Sequence, residues 1–188
     1  MMVLLESKHA ELMDLNKQLN DLVNVDYLMQ IGNRRFFHER IESTHQMALR
    51  YNRYYSIIVC DLDNFKKYND TYGHQKGDYI LLTVANLFKT LLRKTDEIFR
   101  WGGEEIIIIL PEQALSDALV IAESLRAEVE KIAIEHKGND YQVVTISCGV
   151  ASYFPGKKSD IGWDNVIKDA DDALYRAKEG KRNTVYSV

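Results

Sequence analysis

Apolar positions along the chain fall into several distinct periods. Leu5, Leu12 and Leu19 stand seven residues apart, with Leu15 and Leu22 on the neighbouring seam position, which is heptad spacing. Residues 1–25 hold no glycine and no aromatic residue, so they read as one helix ending near Asp26. That helix is either an amphipathic one packed on its own domain or a short parallel coiled coil pairing two chains, with Lys8 interrupting the seam. A second helix is expected over 34–52 and a strand at Tyr55–Cys60. Leu81, Val84, Leu87, Phe88 and Leu91 then mark a helix from Ile80 to Arg93 by their 3.6-residue period. Strands Glu97–Arg100 and Ile106–Leu110 flank a glycine turn, the mark of a hairpin. A helix from Leu115 to about Ile134, a strand Gln142–Gly149, a helix Trp163–Lys178 and a strand Thr184–Val188 complete the pattern. This order predicts an α/β (α+β) fold: a two-layer sandwich of the ferredoxin-like, palm type rather than a doubly wound parallel sheet.

Composition narrows the function classes. With 46% hydrophobic and 28% charged residues among 188, the chain is of ordinary globular type, one domain plus an appendage. Its 24 Lys and Arg against 28 Asp and Glu leave a net charge of -4, which argues against a nucleic-acid-binding surface. Cys60 and Cys148 lie inside the apolar runs IIVC and TISC, where buried free thiols are expected, as suits a reducing compartment. Neither a run of 18 apolar residues nor a secretory signal is seen, so the expectation is a cytoplasmic protein without a membrane span.

Three segments carry candidate chemistry. In IIVCDLDNFKKYNDTYGHQKGD, residues 57–78, a buried strand runs into acids at its C-terminal edge. Asp61 there suits a hard divalent cation, which takes one or two carboxylates plus substrate phosphate, and equally suits a cap. Asp63 is placed to cap the helical stretch NFKKYND, and Lys66 one turn later reaches either phosphate or solvent. In RWGGEEIIII, residues 100–109, two glycines at a bend are followed by two glutamates. Such a pair is unfavourable unless a cation offsets it or the tip stands in solvent. In ADDALYRAKEGKRNTV, residues 170–185, Lys178, Lys181 and Arg182 at a helix C-terminus read as a phosphate clamp or as a response to the helix dipole.

Together DLDNFKKYNDTYGHQKGD, RWGGEE and ALYRAKEGKRN resemble the GGDEF domain of diguanylate cyclases, in its GGEE form, over residues 26–188. The resemblance implies a palm-like nucleotide cyclase fold that makes cyclic di-GMP from two GTP. It implies metal ligation by Asp61, the backbone carbonyl of Leu62 and Glu104, with Mg²⁺ or Mn²⁺, two per site, as cofactor. Glu104 also stands at the family's proton-acceptor position, and Glu105 is required for catalysis in the family. Asn69 and Asp78 look like guanine readers, and His74 lies in the turn near the nucleotide. Gly102 and Gly103 would admit the triphosphate, and Lys66, Lys178 and Arg182 would neutralise it. Arg93 and Asp96, the latter five residues before Trp101, match the family's RxxD inhibitory site for cyclic di-GMP. Because each domain holds one GTP, the resemblance implies a homodimer, with the leading helix as a signalling element under an upstream sensor or partner.

The match has departures. The family's D-x-L-T-G-L-x-N-R-R runs from Asp26 to Arg35 with Met29 and Gln30 in place of Thr-Gly, so the entry turn is open to a different conformation. Ile106 replaces the motif's Phe, and Lys181 stands where glycine is common. The alternative to an active cyclase is a catalytically silent GGDEF domain that binds cyclic di-GMP or GTP as a receptor.

Overall fold

The computed structural model describes residues 24–156 and 162–188; apart from its last two residues, the leading helix expected over 1–25 lies outside them. The chain runs α1 (Arg34–Tyr51), β1 (Tyr55–Leu62), α2 (Phe65–Tyr72), α3 (His74–Leu91), β2 (Glu97–Gly102), β3 (Glu105–Pro111), α4 (Leu115–Lys131), β4 (Ile146–Tyr153), α5 (Trp163–Glu179) and β5 (Val185–Ser187). The five strands form one sheet in the order β2-β3-β1-β4-β5. The central β1 is antiparallel to both β3 and β4, whereas β5 is parallel to β4.

The expected mixed α/β sandwich is present, but helices cover both faces of the sheet, giving three layers instead of two. Ile58, Cys60 and Leu62 of β1 pack with Phe65, Leu81, Phe88 and Leu125 of α2, α3 and α4. The alternate residues Tyr55, Ile57 and Val59 pack with Phe37 and Ile41 of α1 and Ile167 and Leu174 of α5. This is why β1 is buried along its whole length and why Ile106–Leu110 shows no polar alternation.

Several boundaries differ from the sequence expectation, each for a local reason. The helix expected from Ile80 starts at His74; its polar first turn lacks the apolar period, but a break at Gly73, with φ 87°, separates it from α2. β4 begins at Ile146 rather than Gln142, because Gln142 sits at φ 59° in a turn in which its N–H bonds the Asn139 carbonyl. Asp63 does not cap α2. That helix opens on Asn64 at φ 56° without a side-chain cap, and the Asp63 carboxylate turns instead to Thr145 and Ser147.

With Met29 and Gln30 in place of Thr-Gly, the entry turn is closed by local hydrogen bonds. Asp26 Oδ1 accepts from the N–H groups of Leu28 and Met29 at 3.2 and 2.8 Å. Gln30 takes φ 53°, the left-handed conformation suited to the replaced glycine, and its Nε2 donates to the Tyr27 carbonyl at 2.6 Å. Met29 is fully buried in the core. The turn is tied to β2 by Gly32, whose N–H donates to Ile98 O and whose carbonyl accepts from Arg100 N.

Candidate active site

Strand pairing gathers the principal acids. β1 register sets Asp61 opposite Glu105 of β3 and Ser147 of β4, so the carboxylate lies at the end of the central strand beside the β2–β3 turn. That turn carries Gly102, Gly103 and Glu104. The β2–β3 register shifts between Arg100 and Gly102, a bulge that re-aims the hairpin end as bulges beside functional sites do. A Cβ built on Gly102 or Gly103 would meet nothing within 4 Å, and Gly103 has φ 51°. The backbone of the turn is therefore open to close approach by a ligand.

Electrostatics at this end of the sheet are acid-rich. Lys178, in the last turn of α5, places Nζ 2.7 Å from Asp61 Oδ2. Burial nevertheless outweighs the lysine: it pushes the Asp61 carboxyl up to about 6, with Glu104 and Glu105 adding to the rise and Lys178 opposing it. Asp171 of α5 is also pushed up, first by burial and then by Glu105 and Asp172. Among the described residues no group of three or more His, Cys, Asp or Glu side chains could hold a metal unaided. Two carboxylates, Asp61 and Glu104, with the Leu62 carbonyl still fit Mg²⁺, which takes few protein oxygens and completes its shell with water and phosphate. One lysine against Asp61, Glu104 and Glu105 leaves an excess of negative charge that favours such a cation.

A second group forms at the α2–α3 corner. A Cβ on Gly77 would lie 1.9 Å from Asn69 Oδ1, so a side chain there would displace the Asn69 amide from its present place. Asn69 Oδ1 is buried and has no hydrogen-bond partner, an arrangement that costs about 1–3 kcal/mol unless something donates to it. Asp78 follows Gly77 directly and is exposed. His74 and Lys66 are exposed in the first turns of α3 and α2. Arg182 lies in the loop after α5 at φ 55°.

Arg93 and Asp96 do not join this site. They form the turn between α3 and β2, where Arg93 N donates to Asp96 Oδ2 at 2.9 Å. β2 separates them from Gly102 by six residues, about 20 Å of strand.

Sequence reasoning missed the supports of the glycine turn. The Arg100 guanidinium donates through Nε and Nη2 to the Gly103 carbonyl at 3.0 and 2.8 Å and through Nη1 to Asp26 at 3.1 and 3.3 Å. It thereby fastens the turn to the entry segment. Trp101 is held edge-on to Phe37 at 5.2 Å and beneath the Arg34 guanidinium at 4.2 Å. The arginines lay in the motifs as read, but their partners are distant in sequence. Cys60 and Cys148 are buried and free, as expected, and face each other across β1 and β4 with their sulfurs 3.3 Å apart.

A palm-type sheet with a buried acid at its central strand end and an open glycine turn beside it is the class of domain that comparison with known proteins resolves. The chain belongs to the GGDEF family: the profile described as "Diguanylate cyclase, GGDEF domain" matches residues 23–184. It is 38% identical over 174 residues to diguanylate cyclase DgcM of Escherichia coli, covering 93% of this chain and 40% of that protein. The coiled coil and GGDEF domain of DgcB from Caulobacter crescentus, solved in complex with c-di-GMP, superposes with a TM-score of 0.84 at 29% identity. That match covers 98% of this chain and 97% of the other. The diguanylate cyclase SiaD of Pseudomonas aeruginosa, solved with its activator SiaC, superposes at 0.80 with 32% identity, over 96% and 68% of the two chains. The chain thus spans about 40% of the length of the curated relative DgcM. No helix among the described residues is long and apolar enough to cross a membrane.

Proposed function

We propose that this chain condenses two GTP molecules into cyclic di-GMP with release of pyrophosphate, working as a homodimer. The observation that carries the reading is the β1–β3 register, which sets buried Asp61 opposite Glu105 at the foot of the open Gly102–Gly103 turn. Family membership supports the reaction class, and the acids gathered beside an open turn support this location for it.

Asn69 Oδ1, buried and unpartnered, accepts from the guanine amino group, and Asp78 accepts from the same edge, a donor pair that adenine lacks. The backbone of Gly102 and Gly103 lies along the triphosphate, whose charge is met by Lys66, Lys178 and Arg182. Lys178 leaves Asp61 to do this. Asp61, the Leu62 carbonyl and Glu104 would hold Mg²⁺ or Mn²⁺, two ions per site, which would supply charge neutralisation at the α-phosphorus and lower the pKa of the attacking hydroxyl. Glu104 and Glu105 stand at the turn to take the proton as the 3'-oxygen of one nucleotide attacks the α-phosphorus of the other. Because each domain offers one nucleotide, two copies face each other, and the nucleophile for each bond comes from the other chain.

In this reading the domain proper is 26–188, and the heptad-spaced segment 1–25, nearly all of it outside the described residues, is assigned from its sequence to pairing chains and passing on a signal from an upstream sensor or partner. Its seven-residue leucine spacing supports this. Arg93 and Asp96 bind product: the guanidinium forks to guanine while the carboxylate meets its Watson–Crick edge.

The test is to incubate the chain with GTP and Mg²⁺ and look for cyclic di-GMP and pyrophosphate. Product is expected from the wild type and is lost in Glu104→Gln. A dimeric preparation that retains GTP without turnover would replace the cyclase reading with the receptor one.

A further inference from the structure

Asp63 takes no part in the steps above, yet its carboxylate accepts three hydrogen bonds from outside β1. It is 2% exposed. Ser147 Oγ donates to Oδ1 at 2.6 Å, Thr145 Oγ1 donates to Oδ2 at 2.7 Å, and the backbone N–H of Asn183 donates to Oδ2 at 3.0 Å. A carboxylate is costly to bury unless such donors surround it, and two of these would suffice to join β1 to β4. The third reaches across 120 residues to the loop that follows α5.

That loop is strained and pinned. Arg182 and Asn183 are consecutive non-glycine residues at φ 55° and 46°, a conformation that persists only when its surroundings over-determine it. Arg182 N donates to the Ala177 carbonyl, and Tyr141 Oη donates to the Lys181 carbonyl at 3.1 Å. Arg126 Nη1 donates to Asn183 Oδ1 at 2.7 Å. Asp63 grips the same residue's N–H from the β1 side, one residue beyond Leu62. Thr145 also accepts from Asn139 Nδ2, whose Oδ1 meets Asn64 Nδ2 at the start of α2. One buried polar chain therefore joins the end of β1, the start of α2 and the loop carrying Arg182.

We propose that Asp63 is a positioning residue that locks the Gly180–Asn183 loop to the end of β1, so that Arg182 is presented to nucleotide phosphate beside Asp61. This rests on the reading of Asp61 and Arg182 as GTP-site residues. Asp63→Asn keeps the shape but turns an amide N–H₂ toward one donor, and that contact is lost.

The experiment is calorimetric titration of the whole chain with 3'-deoxy-GTP and Mg²⁺, a nucleotide that binds without condensing. Asp63→Asn and Arg182→Ala are each expected to weaken binding about tenfold, and the double variant is expected to be no weaker than Arg182→Ala alone, because the two act as one unit. Ser147→Ala, which removes a single donor, is expected to weaken binding about threefold and to lose that effect in the Arg182→Ala background. It serves as the test where Asp63→Asn does not fold. Wild-type affinity in Asp63→Asn, or full additivity with Arg182→Ala, overturns the inference while leaving the GTP site standing. A wild-type chain that does not bind the nucleotide overturns the functional reading and this inference with it.

Discussion

Asp61 is held in a state that suits a ligand better than it suits the fold. Its carboxyl is pushed up to about 6, chiefly by burial, from an unfolded value near 3.8. Between those values the folded chain keeps a proton that the unfolded chain releases. Its contribution to stability is therefore full below about pH 4 and is lost as pH rises through 6, a penalty on the order of 1–3 kcal/mol at pH 7 without metal. Asp61→Asn is expected to melt several degrees higher than wild type at pH 7 in EDTA, with the gap closing toward pH 4, while losing turnover. Equal melting temperatures at both pH values would contradict this. Gln30 is a smaller case: at φ 53° it occupies a conformation that disfavours side chains by about 1–2 kcal/mol. Gln30→Gly should raise the melting temperature by roughly 2–3 °C, about 0.5–1 kcal/mol for a domain of this size. At this scale residue types were legible in the chain. Asp61, Glu104 and Lys178 could be marked from their motifs, but the role of Asp63 could not, because its three donors, two hydroxyls and one backbone N–H, lie 82 or more positions away.

Helices and strands were legible wherever one period held. α1 and α5 run within a residue or so of their expected bounds, since each presents an apolar stripe to the same face. β4 was displaced by four residues because Gln142–Thr145 looks extended in sequence while side-chain and backbone bonds around Asn139 close it into a turn. The seating of α5 on β4 depends on Gly149, where a Cβ would lie 2.0 Å from the Ala170 carbonyl oxygen and 2.4 Å from Leu174 N. Backbone cannot yield there as a side-chain tip would. Gly149→Ala is expected to destabilise the domain by at least about 3 kcal/mol, and to shift α5 with Lys178. Denaturant unfolding measures the first effect. A loss under about 1 kcal/mol would show that α5 can slide without penalty.

At the scale of the whole molecule, the proposed reaction makes one chain a half-site. On the proposed cyclase reading each domain offers acids, an open turn and Asn69 to one nucleotide, so turnover should follow the dimer. Specific activity is expected to rise with protein concentration and level off as dimer saturates; a constant value well below the dimer dissociation constant would count against a shared reaction. Hydrophobic period and turn residues determine elements from the sequence alone, because each depends on neighbours within about four positions. The three motifs likewise marked the family and its candidate ligands. Layering was decided only in three dimensions: β1 reads the same whether one or two faces are covered until α1 and α5 are seen to pack behind it. So were the Arg100 clasp between Asp26 and Gly103 and the buried chain through Asp63. These are bonds between segments that only strand order β2-β3-β1-β4-β5 brings together, and no local pattern carries that order.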